Sequence, residues 1–132
     1  MYPVMNAIDL AVADMDKTIA FYAMLGLDFK VDANMPDHAS CDLPNGMHLM
    51  LDTEPFRSSY TPGWNSPASG SRTFFAFEFP APAEVDTKFR ELTDAGATSL
   101  TEPWDTPWGM RYATVLDPDG NGVDLYAPLP ST

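Results

Sequence analysis

Cysteine is nearly missing from this chain: Cys41 is the only one in 132 residues. A single thiol excludes an internal disulfide framework and suits a reducing cytoplasm. Basic residues are scarce as well. Seven Lys and Arg stand against nineteen Asp and Glu, a formal net charge of −12. That balance argues against nucleic acid and anionic membranes as partners, since both demand basic patches. It is compatible with a cationic ligand, and equally with simple solubility. No apolar run approaches the ~18 residues of a membrane span. The opening Met1-Tyr2-Pro3-Val4 lacks the basic and apolar regions of a signal peptide. The expectation is a single cytoplasmic domain.

Proline, by contrast, is plentiful. The thirteen prolines fall between patterned segments, which points to short strands and many corners. Val4 to Val12 alternates, with Ile8, Leu10 and Val12 on one side and Ala7, Asp9 and Ala11 on the other. Asp14 is placed to cap a helix over Met15 to Leu25, and Gly26 stands where a left-handed terminator belongs. Leu27 to Asp32 reads as a short strand. His38 to Leu43 and Met47 to Asp52 read as a hairpin around Pro44-Asn45-Gly46. Residues 54–72, rich in Pro, Ser, Gly and Thr, have no periodicity and read as a linker with Trp64 inside it.

The pattern then restarts. Thr73 to Phe79 alternates, Glu84 to Ala95 is helical with Gly96 closing it, and Ala97 to Thr101 is a short strand. Met110 to Leu116 and Gly122 to Ala127 form a last hairpin around Pro118-Asp119-Gly120-Asn121. Moving the first half along by about 70 residues lays Asp14 on Glu84 and Gly26 on Gly96. The chain is a duplicated βαβββ unit: module one over 1–53, the linker over 54–72, module two over 73–132.

Three segments carry a family likeness: Val12-Ala13-Asp14 through Phe21-Tyr22 and Leu25-Gly26-Leu27; Ala95-Gly96-Ala97; and Pro107-Trp108-Gly109-Met110-Arg111 running into Asp117-Pro118-Asp119-Gly120-Asn121. With them the chain resembles the vicinal oxygen chelate superfamily, the glyoxalase/bleomycin-resistance/dioxygenase fold. The resemblance implies an α+β protein whose two βαβββ modules form an open eight-stranded mixed barrel around a cleft. It also implies a homodimer. In the superfamily's enzymes a divalent metal is held by one side chain on the first and one on the last strand of each module. Carried onto this chain, those positions are Ala7, Met50, Phe74 and Asp124. Only Asp124 offers a hard donor, so no metal and no other cofactor is expected.

Alternation along the strands then fixes the cleft face. It comprises Ala7 and Asp9, His48, Met50 and Asp52, Phe74, Ala76 and Glu78, and Asp124 and Tyr126. A two- or four-residue first turn adds Cys41, and a four-residue second turn adds Arg111 and Ala113. Asp124 is expected to pair with Arg111 or to hold a polar ligand. His48 reads as a hydrogen-bonded cleft residue, His38 as a surface residue and Cys41 as a small apolar thiol. Trp104 and Trp108 offer flat surface for stacking.

Two functions follow. The first is a metal-independent binding protein of the bleomycin-resistance type, taking a polar or cationic, aromatic ligand in an acidic-aromatic cleft. The second is a glyoxalase- or dioxygenase-like enzyme, a lyase or isomerase, with a shifted metal site built from Asp9, His48 and Asp124.

Overall fold

The computed structural model describes residues 2–67 and 70–131. The chain divides into two compact units, residues 1–68 and 69–132. In the first, β1 (Ala7–Val12), α1 (Met15–Ala23), β2 (Lys30–Asp32), β3 (Met35–Asp42) and β4 (His48–Thr53) are followed by α2 (Glu54–Tyr60). The second runs β5 (Phe74–Glu78), α3 (Pro82–Asp94), β6 (Thr98–Asp105), β7 (Met110–Leu116) and β8 (Gly122–Pro128). The fold is α+β, with eight described strands in two mixed four-stranded sheets.

Both sheets have the same order, β1-β4-β3-β2 and β5-β8-β7-β6. In each, the first strand runs parallel to the last and the other pairs are antiparallel. The βαβββ duplication is therefore a physical repeat, down to register. Ala7 lies beside His48 as Phe74 lies beside Gly122, and Asp9 beside Met50 as Ala76 lies beside Asp124.

One face of each sheet is packed under its helix. Val12, Leu51, Val123 and Leu125 are completely buried, along with Val85 and Leu92 of α3. Thr18, Phe21 and Tyr22 form the buried stripe of α1. Asp14 caps that helix by accepting from the Lys17 amide at 3.0 Å. The helix of the second unit, α3, begins differently: Ala81 stands at its N-cap, and Glu84, three residues on, reaches back to accept from the Ala81 amide at 3.0 Å. Gly26 and Gly96 end α1 and α3 with φ of 84° and 106°, conformations that an L side chain resists.

Both hairpin turns are one residue away from the lengths expected. The Leu43 amide bonds Met47 and the Asp117 amide bonds Asn121, so three residues form each tip, with Gly46 and Gly120 last. Their φ values of 89° and 87° fit a turn closed by a left-handed residue. In the second turn Asp117 also accepts from the amides of Asp119 and Asn121, both at 2.9 Å. An odd-length tip reverses which face the preceding strand presents.

That reversal corrects two expectations. Cys41 pairs with Leu49 in register and is buried on the helix-packed side, so it does not join His48 and Met50. Arg111 pairs with Ala127, and Ala113 with Leu125, away from Asp124 and Tyr126. Their places are taken by His38 and Ser40 in the first unit and by Tyr112 and Thr114 in the second.

The segment read as a linker also departs from expectation, because it opens with a helix. Thr53 accepts from the Phe56 amide at 3.4 Å and Pro55 sits in the first turn, where a missing N–H costs nothing. Among the described residues, no helix is long and apolar enough to cross a membrane.

Candidate functional site

In the second unit, Asp124 is satisfied by its own hairpin. The Tyr112 hydroxyl and the Thr114 hydroxyl each donate to it at 2.7 Å. Burial, followed by the bond to Asp124, pushes the Tyr112 phenol up to about 12. The Tyr112 and Tyr126 rings stack at 6.0 Å. Arg111 is not its partner. It donates through Nε and Nη2 to Asp86 of α3 at 2.9 and 3.0 Å, and through Nη1 to Asp105 at 3.1 Å. The arginine clamps α3 to the sheet. Trp108 and Phe74 are exposed, and Trp108 meets Trp104 edge-on at 5.8 Å.

The first unit holds the richer cluster. Alternation puts Asp9 on β1, Met50 and Asp52 on β4 and His38 on β3 onto one face, across which α2 lays Phe56, Arg57 and Tyr60. These residues and Met35 line a recess of about 370 Å³. Asp52 is 1% exposed, and a carboxylate so deeply buried must be satisfied by donors. His38 Nδ1 lies 2.6 Å from its Oδ1, and the Tyr60 hydroxyl donates to its Oδ2. Arg57 Nη1 donates to Asp9 Oδ2 and to the Tyr60 hydroxyl, both at 2.8 Å. The guanidinium also lies over the Tyr60 ring, 5.0 Å from its centroid.

The two carboxyls are unequal. Burial, reinforced by the hydrogen bond and the repulsion from Asp52, raises the Asp9 carboxyl to about 6, with Arg57 opposing. Asp52 goes the other way: burial is its largest single influence and acts upward, but bonds from Asp9, Tyr60 and His38 outweigh it and lower its pKa. Asp9 Oδ1 is buried with no donor among the described residues. A proton on Asp9 shared toward Asp52 answers both observations.

A family model for the Glyoxalase/Bleomycin resistance protein/Dioxygenase superfamily matches residues 4–125. The chain belongs to this superfamily. Its fold is shared with a family enzyme from Burkholderia phytofirmans at a TM-score of 0.81, with 20% identity over 95% of this chain and 98% of that one. A second such protein, from Nocardioides, gives 0.75 and 24% identity over 100% and 87%. An uncharacterised protein of Mycobacterium tuberculosis is 44% identical over 46 residues, covering 35% of this chain and only 27% of the relative.

The superfamily's metal positions can now be tested on their chemistry. Ala7, Met50 and Phe74 supply no hard donor, and both oxygens of Asp124 already accept hydrogen bonds. Among the described residues, no group of three His, Cys, Asp or Glu is arranged to hold an ion. These residues do not fit the metal of the superfamily's enzymes. Each residue of the shifted site has partners within its own unit. His48 Nδ1 lies 2.5 Å from Asp42 Oδ1 on an exposed strand end, Asp9 belongs to Arg57, and Asp124 to Tyr112 and Thr114.

Sequence reasoning found Asp9, Met50 and Asp52 but placed His38 on the surface and left Arg57 and Tyr60 in a linker. The signal for the latter pair was Thr53-Glu54-Pro55, a helix start with Phe56 and Tyr60 four residues apart. For His38, the parity of the three-residue turn was the missing step.

Proposed function

We propose that the chain is a metal-independent small-molecule-binding protein of the bleomycin-resistance type, with the first unit's recess as its site. The ligand is polar or cationic with an aromatic body. The observation that supports this reading is the make-up of the recess: Met35, Met50 and Phe56 line it with apolar surface beside the Asp9–Asp52 pair. A cationic group that takes the place of Arg57 at Asp9 gains from the carboxyl pair in a partly dry site, and the faces of Phe56 and Tyr60 suit a flat ring or an onium group. A lyase or isomerase built on Asp9, His48 and Asp124 has less support, because each of those residues is engaged elsewhere.

Isothermal titration with benzamidine, an aromatic cation, tests the reading against benzyl alcohol, its neutral counterpart. The amidine is expected to bind and the alcohol to bind at least about tenfold more weakly, 1.4 kcal/mol in free energy. Asp9→Asn should remove most of that preference. Equal binding of both compounds, or an unchanged preference in Asp9→Asn, would end the acidic-recess reading.

A further inference from the structure

The recess contains a histidine that binding alone does not require. His38 stands directly opposite Asp52 in the β3–β4 register. Its Nδ1 lies 2.6 Å from a carboxylate that is almost fully buried, while the imidazole itself stays 22% exposed. Asp52, held ionised by its other donors, takes the Nδ1–H, which fixes the tautomer and leaves the lone pair on Nε2. Among the described residues no hydrogen bond engages Nε2. An imidazole oriented by a buried carboxylate, with its second nitrogen open and at the edge of a cavity, is the arrangement of a general base.

We infer that this recess hydrolyses small cationic esters, with His38 as the general base. The inference rests on the reading that a cationic aromatic ligand enters the recess. Such a ligand's cation sits against Asp9 and frees Arg57 Nη1 from that carboxylate. His38 Nε2 takes a proton from water as the water oxygen bonds to the ester carbonyl carbon. The carbonyl electron pair moves onto its oxygen, where the released Arg57 guanidinium is the available donor, held in place by its bond to the Tyr60 hydroxyl at 2.8 Å. Collapse of the adduct breaks the bond to the alkoxide, which recovers the proton from the imidazolium. Acid and alcohol leave, and His38 and Asp52 are restored. Asp52 acts here through His38 and is a positioning residue.

Benzoylcholine, an aromatic ester with a quaternary ammonium, is a suitable probe for the full chain. The expected result is saturable release of benzoate above the buffer rate. His38→Gln should lower that rate by about 10²–10⁴-fold, the usual worth of general base catalysis. The same variant should keep the thermal shift that benzoylcholine produces, because the cation contacts remain. A wild-type protein that binds the ester without cleaving it overturns this inference and leaves the binding reading intact. Unchanged cleavage by His38→Gln also overturns it. A protein that neither binds nor cleaves the ester removes both readings.

Discussion

The last strands of the two units, β4 and β8, occupy the same place in the same sheet, yet they handle their carboxylates differently. Met50 and Asp124 hold equivalent register positions. In the second unit the acid sits at that position and draws both donors, Tyr112 and Thr114, from the adjacent strand. In the first unit that position is a methionine, and the buried acid lies two residues further on, at Asp52. Its donors come from two other elements, His38 from β3 and Tyr60 from α2, and the Asp9 carboxyl of β1, raised by its presence, lies close by. A self-contained carboxylate holds a hairpin together. One tied to several elements also shapes the space between them, and the recess lies where those elements meet.

The largest expected effect breaks this contrast most directly. Asp52→Ala removes the common acceptor of His38 and Tyr60 and leaves Asp9 facing a void. Loss of one partner from a buried charged network costs on the order of 3–5 kcal/mol. Asp124→Ala, at a half-buried site with two local donors, should cost about 1–3 kcal/mol. Urea denaturation of the two variants measures both. If Asp124→Ala proves the more destabilising, the first unit's network is not the more integrated of the two.

A second expectation concerns pH. The Asp9 carboxyl is raised to about 6 from its ordinary value of 3.8, so the folded state binds more protons than the unfolded chain between those limits. Stability therefore declines as pH rises through this window, by an amount on the order of 2 kcal/mol for Asp9 alone. The lowered Asp52 contributes in the opposite sense, but its gain lies below its unfolded value and is complete before this window opens. Asp9→Asn keeps the shape of the side chain and has no proton to lose. Its stability measured from pH 4 to 7 should fall less than that of the wild type, with Asp124→Asn as the second unit's comparison. Parallel wild-type and Asp9→Asn curves would show that the pair shares no proton.

Much of the fold was legible because its signals are local and repeated. Alternating apolar residues, the Asp14 cap and the paired glycines at 26 and 96 each dictate a backbone geometry without help from distant contacts. The faces of the first and last strands followed from the same alternation. The inner hairpin strands did not, because their parity depends on whether a turn holds two, three or four residues, and Pro, Asn and Gly fit all of these. A single residue moved Cys41 and Arg111 to one side and brought His38 and Tyr112 to the other. The helix of seven residues after Thr53 was obscured for a different reason: its Ser-rich second half has weak helix propensity. Its place follows from Thr53 and from Arg57 and Tyr60 reaching Asp9 and Asp52, contacts that no local pattern announces.

The smallest expected effect sharpens the part of the comparison in which the two units agree. Gly46 and Gly120 close equivalent three-residue turns at nearly the same φ, 89° and 87°. A Cβ at Gly46 would meet nothing within 4 Å, and one at Gly120 would meet only the Gly70 backbone at an ordinary 3.7 Å. Space is therefore not the issue at either site, and the backbone conformation alone sets the cost. Gly46→Ala and Gly120→Ala should each lose about 1–2 kcal/mol, equal within a few tenths. Asn, whose side chain bonds locally and tolerates this conformation, should recover part of the loss at both. Thermal or urea unfolding of the four variants gives the comparison. A clearly larger loss at Gly120 would mean that the Asp117-centred turn does more than reverse the chain, and the two hairpins would then differ in their turns as well as in their acids.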